Sequence, residues 1–219
     1  MAGLSARGVR LAGQAGTAIW LLAVDEKYYL GFPRFNYHDA KGRGRSSDRE
    51  GSLPPVIAAA MMFAAKPAPG EVIWDPVMGT GTLLAEAMAL APGAALIGTD
   101  IDPAAVSDAR KRFERRSDIR LLQNDAAHAE LGDARLTLTI ANLPFGKKFK
   151  SATGNRALYE TVLRRSLAQA AENWRACLLT SDEDALQAAV AAVGHLALTE
   201  ITHVDVRGTK ASIWMVRPE

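Results

Sequence analysis

The chain has 219 residues, 48% hydrophobic and 23% charged, with a formal net charge of +2. That composition gives one domain of ordinary size room for a core and excludes an intrinsically disordered chain. The longest apolar run, residues 58–65, is far short of the ~20 residues that cross a bilayer. The first fifteen residues carry no apolar segment of signal-peptide type, and Cys177, the one cysteine, has no partner for an internal disulfide. The expectation is a cytoplasmic protein without membrane contact. A net charge this small does not mark a nucleic-acid binder, so the position of the charges matters more than their sum.

The first fifty residues differ from the rest. TAIWLLAV and YYLGF, separated by DEK, predict a β-hairpin. The polar, glycine-bearing stretch that follows holds Lys41, Arg43, Arg45 and Arg49 and reads as a basic linker. Residues 1–50 are therefore expected to form a hairpin and linker, and 51–219 the main domain.

From there the apolar pattern alternates between strands and helices. Leu53 to Lys66 predicts a helix with Ser52 as its cap and Pro54 and Pro55 in its first turn, stopped by Pro67 to Gly70. EVIWD (71–75) predicts a strand, Gly81 to Ala91 a helix, and ALIGTD (95–100) a second strand. Asp102 and Pro103 open a helix whose expected buried face is Val106, Ala109 and Phe113; Lys111, Arg112, Arg115 and Arg116 then fall on its solvated face. IRLLQND (119–125) and LTLTIAN (136–142) are strands, Leu158 to Trp174 a helix, ACLLTSD (176–182) a strand and Glu183 to Val193 a helix. Strands separated by helices make a parallel sheet covered on both faces. LTEITHVDV and ASIWMVRP are joined only by RGTK, which leaves no room for a crossover helix, so the chain ends in an antiparallel hairpin.

The strongest motif is WDPVMGTGTLLAEA, residues 74–87, where a glycine-bearing turn separates a strand from a helix. Gly79 and Gly81 allow positive φ and close approach of a ligand to the backbone. Free N–H groups at the start of the next helix face the same place. Asp100 ends the second strand 21 residues after Gly79, where an acid in an open α/β sheet can accept hydrogen bonds from both ribose hydroxyls. Asp102 reads better as a helix cap, and Asp125 as either a cap or a ligand contact at a third strand end. A fourth strand ends in ANLPFG (141–146), a poor packing sequence, because a buried asparagine needs partners for a carbonyl and two N–H donors.

In order, DPVMGTGTLLAEA, GTDIDPAAV, QNDA, ANLPFG and LYETVLRRSL resemble the RNA methyltransferases that normally carry a THUMP domain and methylate the exocyclic amine of guanine in tRNA or rRNA. The resemblance covers roughly residues 50 to 217. It implies a Rossmann-like class I methyltransferase fold, a mostly parallel seven-stranded sheet with helices on both faces, and S-adenosylmethionine as cofactor. It implies cofactor contacts from Asp75, Pro76, Met78, Gly79, Thr80, Gly81, Asp100, Ile101, Asp125 and Ala126. Val77 and Met78 stand where the family has an aromatic residue or cysteine, and Thr80 where it commonly has serine.

The same resemblance gives ANLPFG a purpose. An exocyclic amine is a poor nucleophile because its lone pair is delocalised into the ring. The Asn142 side-chain carbonyl and the Leu143 backbone carbonyl would each accept one amine hydrogen, Pro144 would shape the turn and Phe145 would stack on the base. RNA phosphates would meet Arg43, Arg45, Lys147 and Lys148. Fifty N-terminal residues cannot hold a whole THUMP domain, so set against the resemblance that module is absent or truncated, and the expectations are a separate RNA-docking subunit, an unusual substrate or decayed activity. The readings left beside this one are an adenine or cytosine amino-methyltransferase and a catalytically silent binding module. Histidines 38, 128, 195 and 203 are scattered without ligand spacing, so no metal is expected, and Cys177 reads as a core residue.

Overall fold

The computed structural model of the chain describes residues 20–24, 27–31, 53–133, 135–145 and 154–219. The chain divides into two compact units, 1–45 and 46–219. In the first, β1 (Trp20–Val24) and β2 (Lys27–Gly31) pair antiparallel, with Trp20 opposite Gly31 and Val24 opposite Lys27.

The second unit runs α1 (Pro55–Ala65), β3 (Val72–Asp75), α2 (Thr82–Leu90), β4 (Ala95–Asp100), α3 (Pro103–Arg112), β5 (Ile119–Gln123), β6 (Leu136–Asn142), α4 (Asn155–Ala168), β7 (Ala170–Thr180), α5 (Glu183–Val193), β8 (Leu196–Val206) and β9 (Thr209–Pro218). Its seven strands lie in the order β5-β4-β3-β6-β7-β9-β8, and β9 alone runs against the others. This is the mostly parallel sheet with an antiparallel end that the sequence predicts.

Period-two alternation sends neighbouring strand residues to opposite faces. Ile73, Leu96, Leu138 and Ile140 pack with Met61 and Met62 of α1, Leu84 of α2 and Val106 of α3. Trp74, Ile97, Ala141 and Leu178 pack with Tyr159 and Leu163 of α4 and Leu186 of α5. Two cores, one on each face, hold the central strands away from water, which is why those strands read as continuous apolar runs.

Three details depart from or sharpen the sequence expectations. The cap of α1 is Pro54, without a side-chain hydrogen bond, and Pro55 opens the helix; proline costs nothing at a position whose N–H has no helical acceptor. The expected cap, Ser52, lies outside the described residues. Helix α4 stops at Ala168 instead of Trp174, and Trp174 belongs to β7. There the indole is 1% exposed and its Nε1–H donates to Thr139 Oγ1 at 3.1 Å, a cross-strand partner that outweighs helical spacing. The β8–β9 turn places Arg207 at φ 53° and Gly208 at φ 84°, the two left-handed residues that a tight hairpin turn requires.

Arg175 of β7 closes the opposite end of the sheet. Its guanidinium meets Glu71 at 2.8 Å and donates to the carbonyls of Ala65 and Lys66 at 2.9 and 3.0 Å, tying the end of α1 to the sheet. The pair is largely buried, and the added carbonyl acceptors satisfy donors that an isolated buried ion pair would leave open. Cys177 is fully buried, its thiol donates to the Met61 carbonyl, and burial pushes its pKa up to about 12. It is a core residue and not a nucleophile.

Candidate active site

The neighbours of β3 are β4 on one side and β6 on the other. The helices after β3 and β6 cover opposite faces, so the chain reverses its winding between these two strands, the place in an open α/β sheet beyond whose carboxyl ends ligands bind. Trp74 pairs with Thr139, which brings the Asp75–Gly81 turn and Asn142 to the same edge of the sheet.

The turn is built from backbone donors. Val77 N–H donates to Asp75 Oδ1 at 3.1 Å, Met78 N–H to the Thr99 carbonyl at 2.9 Å, and Gly79 N–H to Asp100 Oδ2 at 2.8 Å. Gly81 N–H returns to the Met78 carbonyl at 2.8 Å. Thr99 braces the turn from β4: its hydroxyl donates to the Pro76 carbonyl at 3.0 Å and accepts from Trp74 Nε1 at 3.2 Å. Gly79 and Gly81 have φ of 53° and 77°. A Cβ on Gly79 would meet no atom within 4 Å, so this position faces open space, whereas a Cβ on Gly81 would lie 2.6 Å from the Phe113 ring. One glycine thus keeps an approach clear and the other permits packing against α3. Met78, Thr80 and Thr82 are buried beneath the turn.

Four acidic residues gather around it with different duties. Asp75 is 1% exposed; its carboxyl is held well above the usual range by burial, with nearby Asp100 adding to the rise and the Val77 N–H opposing it. Asp100 accepts from Gly79 through Oδ2 and from Asp102 N–H through Oδ1 at 2.9 Å. Each carboxylate oxygen has a second lone pair, so two acceptor sites remain for hydroxyl groups. Asp102 caps α3 through Ala104 N–H at 2.8 Å, as its position predicts. Asp125 takes the capping role too: its Oδ1 accepts from Ala127 N–H at 2.8 Å at the start of a single helical turn, Ala126–His128. Ala126 is 5% exposed within the second core, while Ile101 is 69% exposed beside Asp100.

At the end of β6, Leu143 N–H donates to the Leu179 carbonyl at 2.9 Å, and its side chain is 1% exposed. Tyr159 OH donates to the Pro144 carbonyl at 2.7 Å and lies 2.8 Å from Thr180 Oγ1. That hydroxyl is buried, and desolvation pushes the Tyr159 pKa up to about 12. Phe145 is half-buried, one side packed on the first core. The Asn142 Oδ1 atom is buried and has no hydrogen-bond partner among the described residues. Such an atom costs stability in a protein that has no use for it.

Thr99 and Tyr159 are supports that the sequence reading did not single out. Tyr159 stood inside LYETVLRRSL, but nothing in that spacing signals a bond to Pro144. Arg43, Arg45, Lys147 and Lys148, with Lys41, Arg49 and Lys150, lie outside the described residues. Among the described residues Glu183, Glu200 and His203 bring ligand-type atoms within 4.8 Å of one another. His203 meets Glu200 at 3.0 Å and Ser212 Oγ at 2.8 Å, and Ser212 donates to Glu183 at 2.7 Å.

Strand order, a glycine cradle and an asparagine at the fourth strand end define a class I methyltransferase domain. The chain belongs to the family described as UPF0020, RMKL-like methyltransferase domain, whose sequence model matches residues 43–211. Among curated relatives, the mouse tRNA (guanine(6)-N(2))-methyltransferase THUMP3 is 26% identical over 182 residues, covering 76% of this chain and 36% of that protein. The Thermus thermophilus tRNA (guanine(6)-N2)-methyltransferase is 34% identical over 133 residues, covering 59% and 40%. The chain thus spans well under half the length of these relatives. The crystal structure of TrmN from Thermus thermophilus superposes with a TM-score of 0.70 at 26% identity, covering 99% of this chain and 64% of that one. SMU.1697c from Streptococcus mutans, solved in complex with SAH, has the same fold, with a TM-score of 0.59 at 15% identity, covering 76% of this chain and 98% of that one.

Proposed function

We propose that this domain transfers a methyl group from S-adenosylmethionine to the exocyclic N2 amine of a guanine in RNA, with tRNA as the first substrate to test. The observation that carries the reading is the buried, unpartnered Asn142 Oδ1 at the switch-point edge of the sheet. The residues present also suit the cofactor: Gly79 leaves its approach open, and Asp100 keeps acceptor capacity beside the exposed Ile101. When bound, the cofactor supplies an electrophilic methyl group on a sulfonium.

Every other part of the reaction falls to the chain. Asn142 Oδ1 and the Leu143 carbonyl accept the two amine hydrogens, which orients the nitrogen and favours the positive charge that develops on it during attack. Tyr159 and the Leu179 carbonyl hold the turn that carries these acceptors. Phe145 stacks on the target base, which must leave its own stack to enter. No strong base is required, because the product ammonium readily loses its proton. Arg43, Arg45, Lys147 and Lys148 are assigned to phosphate contact, with a separate RNA-docking chain as a further element of the proposal.

The reading rests on guanine-N2 activity in the named relatives together with the Asn142 geometry. Transfer of labelled methyl to undermodified total RNA, followed by nuclease digestion, tests it, with DNA run in parallel. Label in N2-methylguanosine is the expected result. Label confined to adenine or cytosine, to DNA, or found in no nucleic acid overturns it.

A further inference from the structure

A second buried carbonyl without a partner lies on the same rim. Asn155, the first residue of α4, is 7% exposed, and its Oδ1 has no hydrogen bond among the described residues. Its amide orientation is set, because Nδ2 donates to Asp182 Oδ2 at 2.8 Å and a carboxylate only accepts. Asp182 is itself held, by Thr180 Oγ1 on its N–H at 2.9 Å and by its capping bond to Ala185 N–H at 3.3 Å.

Position gives this carbonyl a use. Residues four apart on a helix share a face, so Asn155 lies one turn ahead of Tyr159. The Tyr159 hydroxyl already touches the Pro144 carbonyl at the strand edge. Helix α4 enters from the carboxyl ends of the strands, and the bonds from Asn155 to Asp182, Asp182 to Thr180, Thr180 to Tyr159 and Tyr159 to the Pro144 carbonyl tie its first turn to that edge.

We propose that Asn155 Oδ1 reads the Watson–Crick edge of the target base by accepting its N1–H. The assignment rests on the methyltransferase reading and adds the basis of base selection. Guanine carries a hydrogen on N1, next to the carbon that bears the N2 amine. Adenine N1 and cytosine N3 are acceptors and would face the Asn155 oxygen lone pair to lone pair. A buried acceptor left unpaired by the wrong ring is an effective source of discrimination.

The test uses RNA in which the methylated guanosine, once identified, is replaced by 2-aminopurine, which keeps the reactive 2-amine and has no hydrogen on N1. The full-length wild-type chain should favour guanine by about tenfold or more in kcat/KM. Asn155→Ala should bring that ratio to within about threefold by lowering guanine turnover, with affinity for S-adenosylhomocysteine unchanged as the sign of an intact fold. If the variant does not fold, wild type alone decides: equal use of the two bases removes the assignment. A ratio unchanged in a folded variant does the same. Methyl transfer to neither base fails the function itself, an outcome distinct from transfer without discrimination.

Discussion

Gly79 and Asp100, 21 residues apart in sequence, are joined by a backbone N–H to carboxylate bond of 2.8 Å that locks the glycine turn to the end of the neighbouring strand. The acid is thus a structural part of the turn as well as an acceptor for a ligand. Asp100→Ala should lower cofactor-analogue affinity by roughly ten- to a hundredfold and also lower Tm, since charged-acceptor hydrogen bonds contribute about 1.5–3 kcal/mol. Calorimetric titration with S-adenosylhomocysteine and thermal unfolding check the two effects. Lost affinity at unchanged Tm would show that the bond to Gly79 contributes nothing to the fold.

Asn142 should behave in the opposite way. Its Oδ1 satisfies no group among the described residues, so Asn142→Ala is expected to leave Tm unchanged or raise it while reducing kcat by about 10²–10³. Analogue affinity should stay within about twofold. A variant that unfolds early with turnover intact would mark Asn142 as a packing residue.

The two glycines of the turn separate strain from steric clash. Gly79→Ala introduces a Cβ into open space at φ 53°, so it should cost about 1–2 kcal/mol of backbone strain and hinder the ligand. Gly81→Ala adds a collision with Phe113 to a φ of 77° and should destabilise more. Equilibrium urea unfolding of both variants ranks them; equal losses would contradict the Phe113 contact.

Tyr159→Phe removes the hydroxyl bridge between Pro144 and Thr180. The expected loss is about 1–2 kcal/mol of stability and a lower kcat without a change in analogue affinity. Because the hydroxyl pKa is pushed to about 12, it stays a donor across the working range, and wild-type and variant pH profiles should be parallel up to pH ~10. Divergence below that would mean the phenol titrates.

Asp75 carries a stability signature. Burial raises its folded pKa, so the folded state holds its proton more tightly than the unfolded chain. Its favourable contribution is complete below the unfolded value of about 3.9 and is lost as pH rises through the folded value. Asp75→Asn, which keeps an acceptor for Val77 N–H, should therefore gain stability relative to wild type as pH rises from about 4 to 8. Denaturant titrations at several pH values measure the difference, and a gap that stays constant with pH would show that burial leaves this carboxyl untouched.

Local chemistry determined much of the architecture. ALIGTD and LTLTIAN became strands with the expected ends, Glu183 to Val193 became a helix, and the short RGTK joint forced an antiparallel hairpin, because period and turn length act over a few residues. Asp102 capped its helix for the same reason. Tertiary structure alone decided that Trp174 leaves its helical pattern for β7, where Thr139 supplies its partner 35 residues away. It also decided that Thr99 braces the glycine turn, that Tyr159 supports Pro144, and that the carbonyls of Asn142 and Asn155 have no partner among the described residues. An asparagine in a sequence shows the capacity to hydrogen-bond; whether that capacity is satisfied depends on side chains and backbone that only folding brings within hydrogen-bonding distance.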